Sequence, residues 1–583
     1  MRLARSVLCG SCWALCLAAC GGGESAAPVG SSSNGGNSTV ATAGGPSVAA
    51  DGGSGGGLSN PSTAGHSGSS VTSGGAGNGN ANGGSATAGS SSNGGAGTMG
   101  NGGTPATGGT VASGGTPPAS SSEPLVNGIQ WADTTGKPIQ AHGGGMIKVA
   151  DYYYWFGENR NPNGSFYAVS SYRSRDLRSW EFRNHVLRSS SHAELNPANI
   201  ERPKVVYNAA TGKYVMWMHW ENGSNYGEAR AAVATASSVD GDYTYQGSFR
   251  PLVDSGVTDH DKPGYMSRDC GLFVDEDQKA YFISATNENS DLNLYLLTPD
   301  YLKIDKLAAV LLKGGHREAP VLFKRNGTYF LLTSGATGWN PNQASYATSS
   351  SLTSGWSSQK NVGDGNTFYS QSTYVLPIQS GTGSSPSSYL YMGDRWAGAW
   401  GGRVNDSSYI WLPITFSSAT AMSLSWSNAL SLDGVAATLS GATRNFQFVN
   451  AKSGKALEVQ GASSTDGASI VQNPASNATS QQWGLEYDGA GYFNLSNVAS
   501  SKVLDVPDES TADGIELKQW KSTGGDNQAW LLIDLGGGLF QIRNKHSNKF
   551  VGVVDAATSD GAAIEQRAAS TGDEQRWRLV IAK

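Results

Sequence analysis

Residues Arg317 to Trp339 read R-E-A-P-V-L-F-K-R-N-G-T-Y-F-L-L-T-S-G-A-T-G-W. A carboxylate, Glu318, heads the apolar run Val321-Leu322-Phe323, which an Arg325-Asn326-Gly327 turn separates from Tyr329-Phe330-Leu331-Leu332. Asn-Gly supplies the positive φ angles that tight turns need, so the stretch predicts a β-hairpin with an acid at its mouth. The same pattern is written four more times. It opens at Gln140-Ala-His142 before the hairpin Met146–Phe156, at Glu201 before Val205–Trp217, at Asp269 before Leu272–Ile283, and at Gln371 before Tyr374–Met392. From His142 to Gln371 the heads are 59, 68, 49 and 53 residues apart. Repeats of that size, one small sheet each, predict a five-bladed β-propeller over 124–437. The first strand of each blade lies innermost in such a fold, so five polar heads distant in sequence are expected to meet in one pocket.

Outward from the propeller, three further segments differ in composition. Residues 1–20 carry Arg2 and Arg5, an apolar stretch and then Leu17-Ala-Ala-Cys20. This order resembles a bacterial lipoprotein signal, which implies cleavage before Cys20 and lipidation of its thiol. The implied location is the bacterial cell surface or outer membrane, with release into the medium as the alternative. Residues 21–123 are mostly Gly, Ser, Ala, Thr and Asn, with no Lys, Arg, Phe, Tyr or Trp, too few apolar groups to offset ordering entropy. A flexible tether with a root-mean-square span of roughly 50 to 60 Å is expected.

The formal charge of -6 lacks the basic surplus that nucleic-acid partners select, so no nucleic-acid partner is expected, and because no apolar run beyond residue 20 is long enough to span a bilayer, membrane contact is expected only through a lipid anchor. Of five cysteines, Cys270 alone lies beyond the signal. Neither a disulfide framework nor a cysteine zinc site is available, and no cofactor, no metal and a monomer are expected.

From 443 to 583 a threefold repeat takes over. Gln481-Gln-Trp483, Gln528-Ala-Trp530 and Gln575-Arg-Trp577 recur at intervals of 47 residues, each after a short strand and an Asp-Gly turn. This resembles the ricin-B β-trefoil, carbohydrate-binding module family 13. In that family the Gln and Trp of the motif are core. The resemblance places a sugar site in the second repeat at Asp505, Trp520, Asn527 and Gln528. The first repeat offers only Glu458 with Asn473-Pro474, and the third has Gly552 and no platform ring. The whole is therefore expected to be all-β: a propeller, then a trefoil, behind a signal and a linker.

The propeller segments Gln140-Ala-His142-Gly, Trp155-Phe156-Gly157-Glu158, Glu201-Arg202-Pro203-Lys204, Ser224-Asn225-Tyr226-Gly227, Glu318-Ala319-Pro320, Tyr369-Ser370-Gln371 and Gly393-Asp394-Arg395-Trp396 resemble glycoside hydrolase family 43. They are most similar to its exo-β-1,3-galactanase subfamily. The resemblance implies an inverting enzyme acting on β-1,3-galactan or arabinogalactan. It gives Glu318 as the general acid, Glu201 as the neighbouring carboxylate that raises the acid's pKa by like-charge repulsion, and Gln371 as the base through an imidic acid form. Most of the family has an Asp heading the first blade, whereas this chain has none there, and Asp269 is the rival base. Substrate contacts are expected from His142, Glu158, Tyr226, Asp269, Asn287, Thr337, Trp339, Asp394 and Arg395. Two other readings stay open on the sequence: an arabinofuranosidase or xylosidase of the same family, and a non-catalytic glycan-binding lipoprotein.

Overall fold

The computed structural model describes residues 124–379, 386–432, 439–442 and 444–583. The signal with Cys20, the Gly/Ser linker and most of the Gly/Ser turn in the fifth blade lie outside them. Strands make up nearly all regular structure, with helical turns confined to short 3-10 segments.

Five antiparallel sheets of four consecutive strands form the first unit. Their innermost strands are His142–Val149, Asn199–Asn208, Cys270–Val274, Arg317–Arg325 and Gln371–Ile378. Each packs against the next, and the fifth returns to the first, closing a ring. The Asn-Gly hairpin forms as the sequence predicts. Arg325 pairs with Thr328 across a two-residue turn, with φ of 48° at Asn326 and 78° at Gly327. Both central residues are left-handed, as a type I′ turn requires.

The innermost strands share a device that hydrophobic patterning does not show. A β-bulge follows the head in four of the five blades, between His142 and Gly145, Glu201 and Lys204, Glu318 and Val321, and Ser372 and Tyr374. In three of them the residue after the head is left-handed: Gly143 at 61°, Arg202 at 56° and Ala319 at 51°. A bulge re-aims side chains that strict alternation would send elsewhere. Here it keeps apolar residues between blades while the polar heads face the axis.

The ends of the propeller are fastened by Asn127. Its side-chain amide donates to the Trp411 and Ser427 carbonyls at 2.8 and 2.9 Å and accepts from the Trp411 N–H at 2.8 Å. Nearby, Leu125–Val126 pairs with Ala429–Leu432, which pairs with Leu439–Ala442.

The second unit is a trefoil. Its first strand, Phe446–Asn450, pairs with its last, Trp577–Ile581, so the threefold sheet closes on itself. Trp483, Trp530 and Trp577 are fully buried, and their indole N–H groups donate to Leu457, Leu504 and Val551 carbonyls at 3.1, 3.0 and 3.1 Å. One apolar core runs from propeller residues such as Trp131, Trp155 and Trp411 into these three tryptophans.

Candidate active site

The five heads converge as expected, and Arg202 ties three of their blades together. Its guanidinium meets Asp269 at 2.9 Å, the Ser372 carbonyl at 3.0 Å and the Gln371 side-chain oxygen. Three blades are thereby joined through one charge. Asp269 also accepts the Ala319 N–H at 3.0 Å, so it sits directly beneath Glu318.

Glu318 is half-buried and accepts a hydrogen bond from the Asn289 amide at 2.6 Å. Its pKa is pushed up to about 8, first by burial and then by the charge of Asp269, with Glu201 the weaker contributor. Glu201 thus raises the acid's pKa as expected, but by less than Asp269 does. Glu201 is instead bonded by protein groups at both oxygens. Arg160 and Tyr226 donate to one oxygen at 2.7 and 2.6 Å, and His219 meets the other at 3.1 Å. Burial alone would raise its pKa, but the His219 hydrogen bond and the charges of Arg160 and His219 hold it well below the usual carboxylate range. His219 is itself clamped between Glu201 and Glu221, at 3.1 and 3.0 Å. Burial opposes its protonation, but hydrogen bonds to the two carboxylates push its pKa up to about 9.

Gln371 faces this group from the fifth blade. Its carbonyl oxygen accepts from Arg202 and from the Trp396 indole at 2.8 Å, and its amide nitrogen donates to Ser334 at 2.8 Å. Ser334 is the cross-strand partner of Glu318, so acid and glutamine occupy adjoining walls. A cleft opens beside Gln371, lined by Tyr369, Trp396 and Trp339. Trp339 is 44% exposed and meets Trp396 edge-on at 5.6 Å, a ring free to stack on the apolar face of a pyranose.

The other expected contacts divide. Tyr226 reaches the pocket. His142, Glu158 and Asp394 are buried beneath it. His142 stacks on Tyr409 at 5.0 Å, and Asp394 accepts the Gly143 N–H at 2.5 Å. Glu158 pairs with Arg160 at 2.7 Å, and burial, outweighing that cation, pushes it up to about 7. Asn287 is exposed and donates to Asp291 at 3.4 Å; the residue of its loop that reaches Glu318 is Asn289. Thr337 is exposed and donates to the Asn340 carbonyl at 2.6 Å, holding its own turn together.

Arg395 is a correction. Its guanidinium lies 3.6 Å from the centre of the Tyr487 ring in the trefoil and donates to the Phe368 carbonyl at 2.9 Å. Successive side chains of a strand point to opposite faces, so placing Asp394 toward the axis sends Arg395 away from it. Arg160, Arg202, His219 and Asn289 had no assigned role from the sequence. Their signal was only a run of polar residues within otherwise apolar blade strands and loops.

In the trefoil, Asp505 accepts from Asn527 and Gln528 at 3.0 and 2.8 Å, both at Oδ2. Its other oxygen carries no hydrogen bond among the described residues. Val503 pairs with Trp520 and Asp505 with Lys518, which puts Asp505 and the 40% exposed Trp520 diagonally on one sheet face. Gln528 is fully buried and its oxygen is taken by the Thr523 N–H at 2.7 Å. It positions Asp505 and does not reach a sugar, which corrects its expected role. Glu458 in the first repeat has both oxygens bonded, to Gln481 at 2.8 Å and Ser480 at 3.3 Å.

An all-β propeller with an axial pocket of acids and aromatic rings, carrying a lectin-like trefoil, is the architecture of a modular carbohydrate-active enzyme. Residues 140–373 match the model of glycosyl hydrolases family 43, and residues 435–520 and 526–583 match the ricin-type β-trefoil lectin domain-like model. Among solved structures, an exo-β-1,3-galactanase from Clostridium thermocellum is 53% identical; the match covers 79% of this chain and 99% of that one, with a TM-score of 0.54. The exo-β-1,3-galactanase of Phanerochaete chrysosporium with galactose is 29% identical over 79% of this chain and 100% of that one, with a TM-score of 0.53. The same fungal enzyme with β-1,3-galactotriose matches at 28% identity over 79% and 99%, with a TM-score of 0.52. No curated protein matches the chain. The chain belongs to glycosyl hydrolases family 43.

Proposed function

We propose that the protein is an exo-acting, inverting hydrolase that releases galactose from β-1,3-galactan, the main chain of arabinogalactan. The observation that carries this reading is the divergence of two neighbouring carboxyls: Glu318 is pushed up to about 8 while Glu201 is held well below the usual carboxylate range. Environments that drive two acids apart assign an acid and an ionised partner. Glu318 protonates the glycosidic oxygen. Glu201, ionised and fixed by three donors, accepts sugar hydroxyls and favours positive charge at the anomeric carbon. Water attacks from the opposite face, where Gln371 orients it and, as the imidic acid, takes its proton on nitrogen while its own hydroxyl proton passes to solvent and the amide re-forms. Incubation with β-1,3-galactan is expected to release galactose, with the α-anomer appearing first by NMR. Arabinose from arabinan or xylose from xylan, with no galactose, would overturn the substrate assignment.

The carboxylate joined to Gln371 through Arg202 is that of Asp269, and that link favours Asp269 as the second reading for the base.

The trefoil holds the polymer through its second repeat. Asp505→Ala is expected to abolish retardation of the full chain on a galactan matrix, whereas Glu458→Ala changes it little, because only Asp505 presents an oxygen free of protein donors beside an exposed ring. Equal retardation of the two variants in affinity electrophoresis would sink the one-site reading. The shared chain raises the local concentration of the second contact to roughly millimolar, so the effect is largest on insoluble galactan.

Export and lipid anchoring at Cys20 belong to the same proposal, since galactan is too large to enter a cell intact. Cys20→Ser is expected to move the protein from the membrane fraction to the soluble fraction. Unchanged membrane retention with no incorporated fatty acid would exclude the anchor.

A further inference from the structure

The loop that delivers Gln371 is held by the trefoil. Thr367, Phe368 and Tyr369 are three successive non-glycine residues with φ of 51°, 56° and 62°. Such backbone persists only where surrounding contacts over-determine it. Part of the restraint is local: the Thr367 hydroxyl donates to the Asn342 carbonyl at 2.9 Å, and Asp364 accepts the Phe368 N–H at 2.7 Å. The rest comes from the hairpin joining the first and second trefoil repeats. The Tyr487 ring meets the Tyr369 ring edge-on at 5.2 Å. Arg395 lies flat against Tyr487 while donating to the Phe368 carbonyl. A methyl on Gly489 would sit 3.6 Å from Tyr369.

The same hairpin approaches the segment that follows Trp396. A methyl on Gly491 would stand 3.7 Å from the Trp400 indole nitrogen. Trp400 ends the short turn that begins at Ala397, just after Trp396, and Trp396 donates to the Gln371 oxygen. Tyr369, Trp396 and Gln371 line one cleft. The 487–491 hairpin therefore packs on the loop before Gln371 and approaches the turn that follows Trp396, two of the segments that meet at the glutamine.

We infer that this trefoil hairpin is a positioning element of the active site, with Tyr487 bracing the 367–370 loop so that Gln371 stands where attacking water is bound. The trefoil thus has a second task, separate from holding polymer, and the enzyme's turnover depends on it even with substrates too short to span both sites. This inference rests on the reading of Gln371 given above.

The test uses the full chain and β-1,3-galactotriose. Tyr487→Ala is expected to lower kcat roughly ten- to a hundredfold, as small misplacements of reacting groups do, with KM changed much less. Tyr487→Phe, which keeps the ring, is expected to stay within about twofold. Retardation on galactan should match wild type for both, since Asp505 and Trp520 lie in the second repeat. Tyr369→Ala supplies the second arm: once it is present, adding Tyr487→Ala should change kcat little, because one residue acts through the other. All rates are taken per folded molecule, and Tyr487→Leu replaces the alanine variant should that not fold. Wild-type kcat in the Ala or Leu variant, or effects of Tyr369→Ala and Tyr487→Ala that simply multiply, would overturn the brace. Failure of the wild type to cleave galactotriose would instead overturn the activity on which it rests.

Discussion

Glu318→Gln is expected to reduce kcat on β-1,3-galactan by about 100- to 10,000-fold while leaving the propeller folded. The amide keeps the size of the side chain, and its oxygen can still accept from Asn289, but it has no transferable proton. An aryl galactoside with a good leaving group, if accepted, should suffer less, since its departure needs little protonation. The pH profile carries the same assignment. Glu318 works only while protonated, and its pKa is raised to about 8 from 4.5, so activity should hold through neutral pH and fall as pH rises through about 8. Asp269 is the strongest charge raising it after burial. Asp269→Asn should therefore move that alkaline limb to lower pH. Near-normal turnover by folded Glu318→Gln, or an alkaline limb unmoved by Asp269→Asn, would remove Glu318 from the acid's role.

Gln371→Ala is expected to cost at least about 100-fold in kcat, more than Asp269→Asn does. A neutral amide is a very weak base, so its contribution must come from placement: Arg202, Trp396 and Ser334 bind all three sides of it. Azide should enter the space left by the truncated side chain and yield galactosyl azide of inverted configuration, identifying the face of attack. If Asp269→Asn is the more damaging change and azide rescues that variant instead, the base is Asp269. Both residues share one guanidinium, so the double variant should show non-additive loss.

The sequence made the blades legible because hairpins leave local marks: apolar runs of strand length, and an Asn-Gly where two left-handed residues are required. The trefoil was legible for a similar reason, as three indoles must reach equivalent carbonyls and the spacing repeats. Site geometry was less accessible. The bulges that aim Glu201 and Glu318 rest on left-handed Arg202 and Ala319, residue types that give no warning of positive φ. Asn287 was favoured over Asn289, although Asn287, Glu288 and Asn289 all have φ between 50° and 61°, a loop shape that periodicity cannot follow. Arg395 could have been excluded by alternation alone once Asp394 was placed at the axis. The order of charge effects on Glu318, with Asp269 ahead of Glu201, depends on which blades adjoin and on the Ala319 N–H that seats Asp269 below it. No linear pattern encodes that proximity.

The closed threefold ring of the trefoil divides labour by direction. Its first repeat supplies most of the hairpin that faces the catalytic pocket, its second presents the ring and free carboxylate oxygen, and its third, with Gly552 in place of an acid, presents neither. Because one apolar core runs through both units, the bearing from the holding site to the cutting site is fixed by the fold and not left to a swivelling linker. With the second repeat as the proposed sugar site, the molecule is expected to act as a ruler for its substrate. A glycan shorter than that span can occupy one site or the other, and only a longer one can be gripped along its length while its end is removed. The benefit of the trefoil's sugar site should accordingly appear as a step at a threshold chain length, in contrast to the gradual gain that a flexibly tethered module would give.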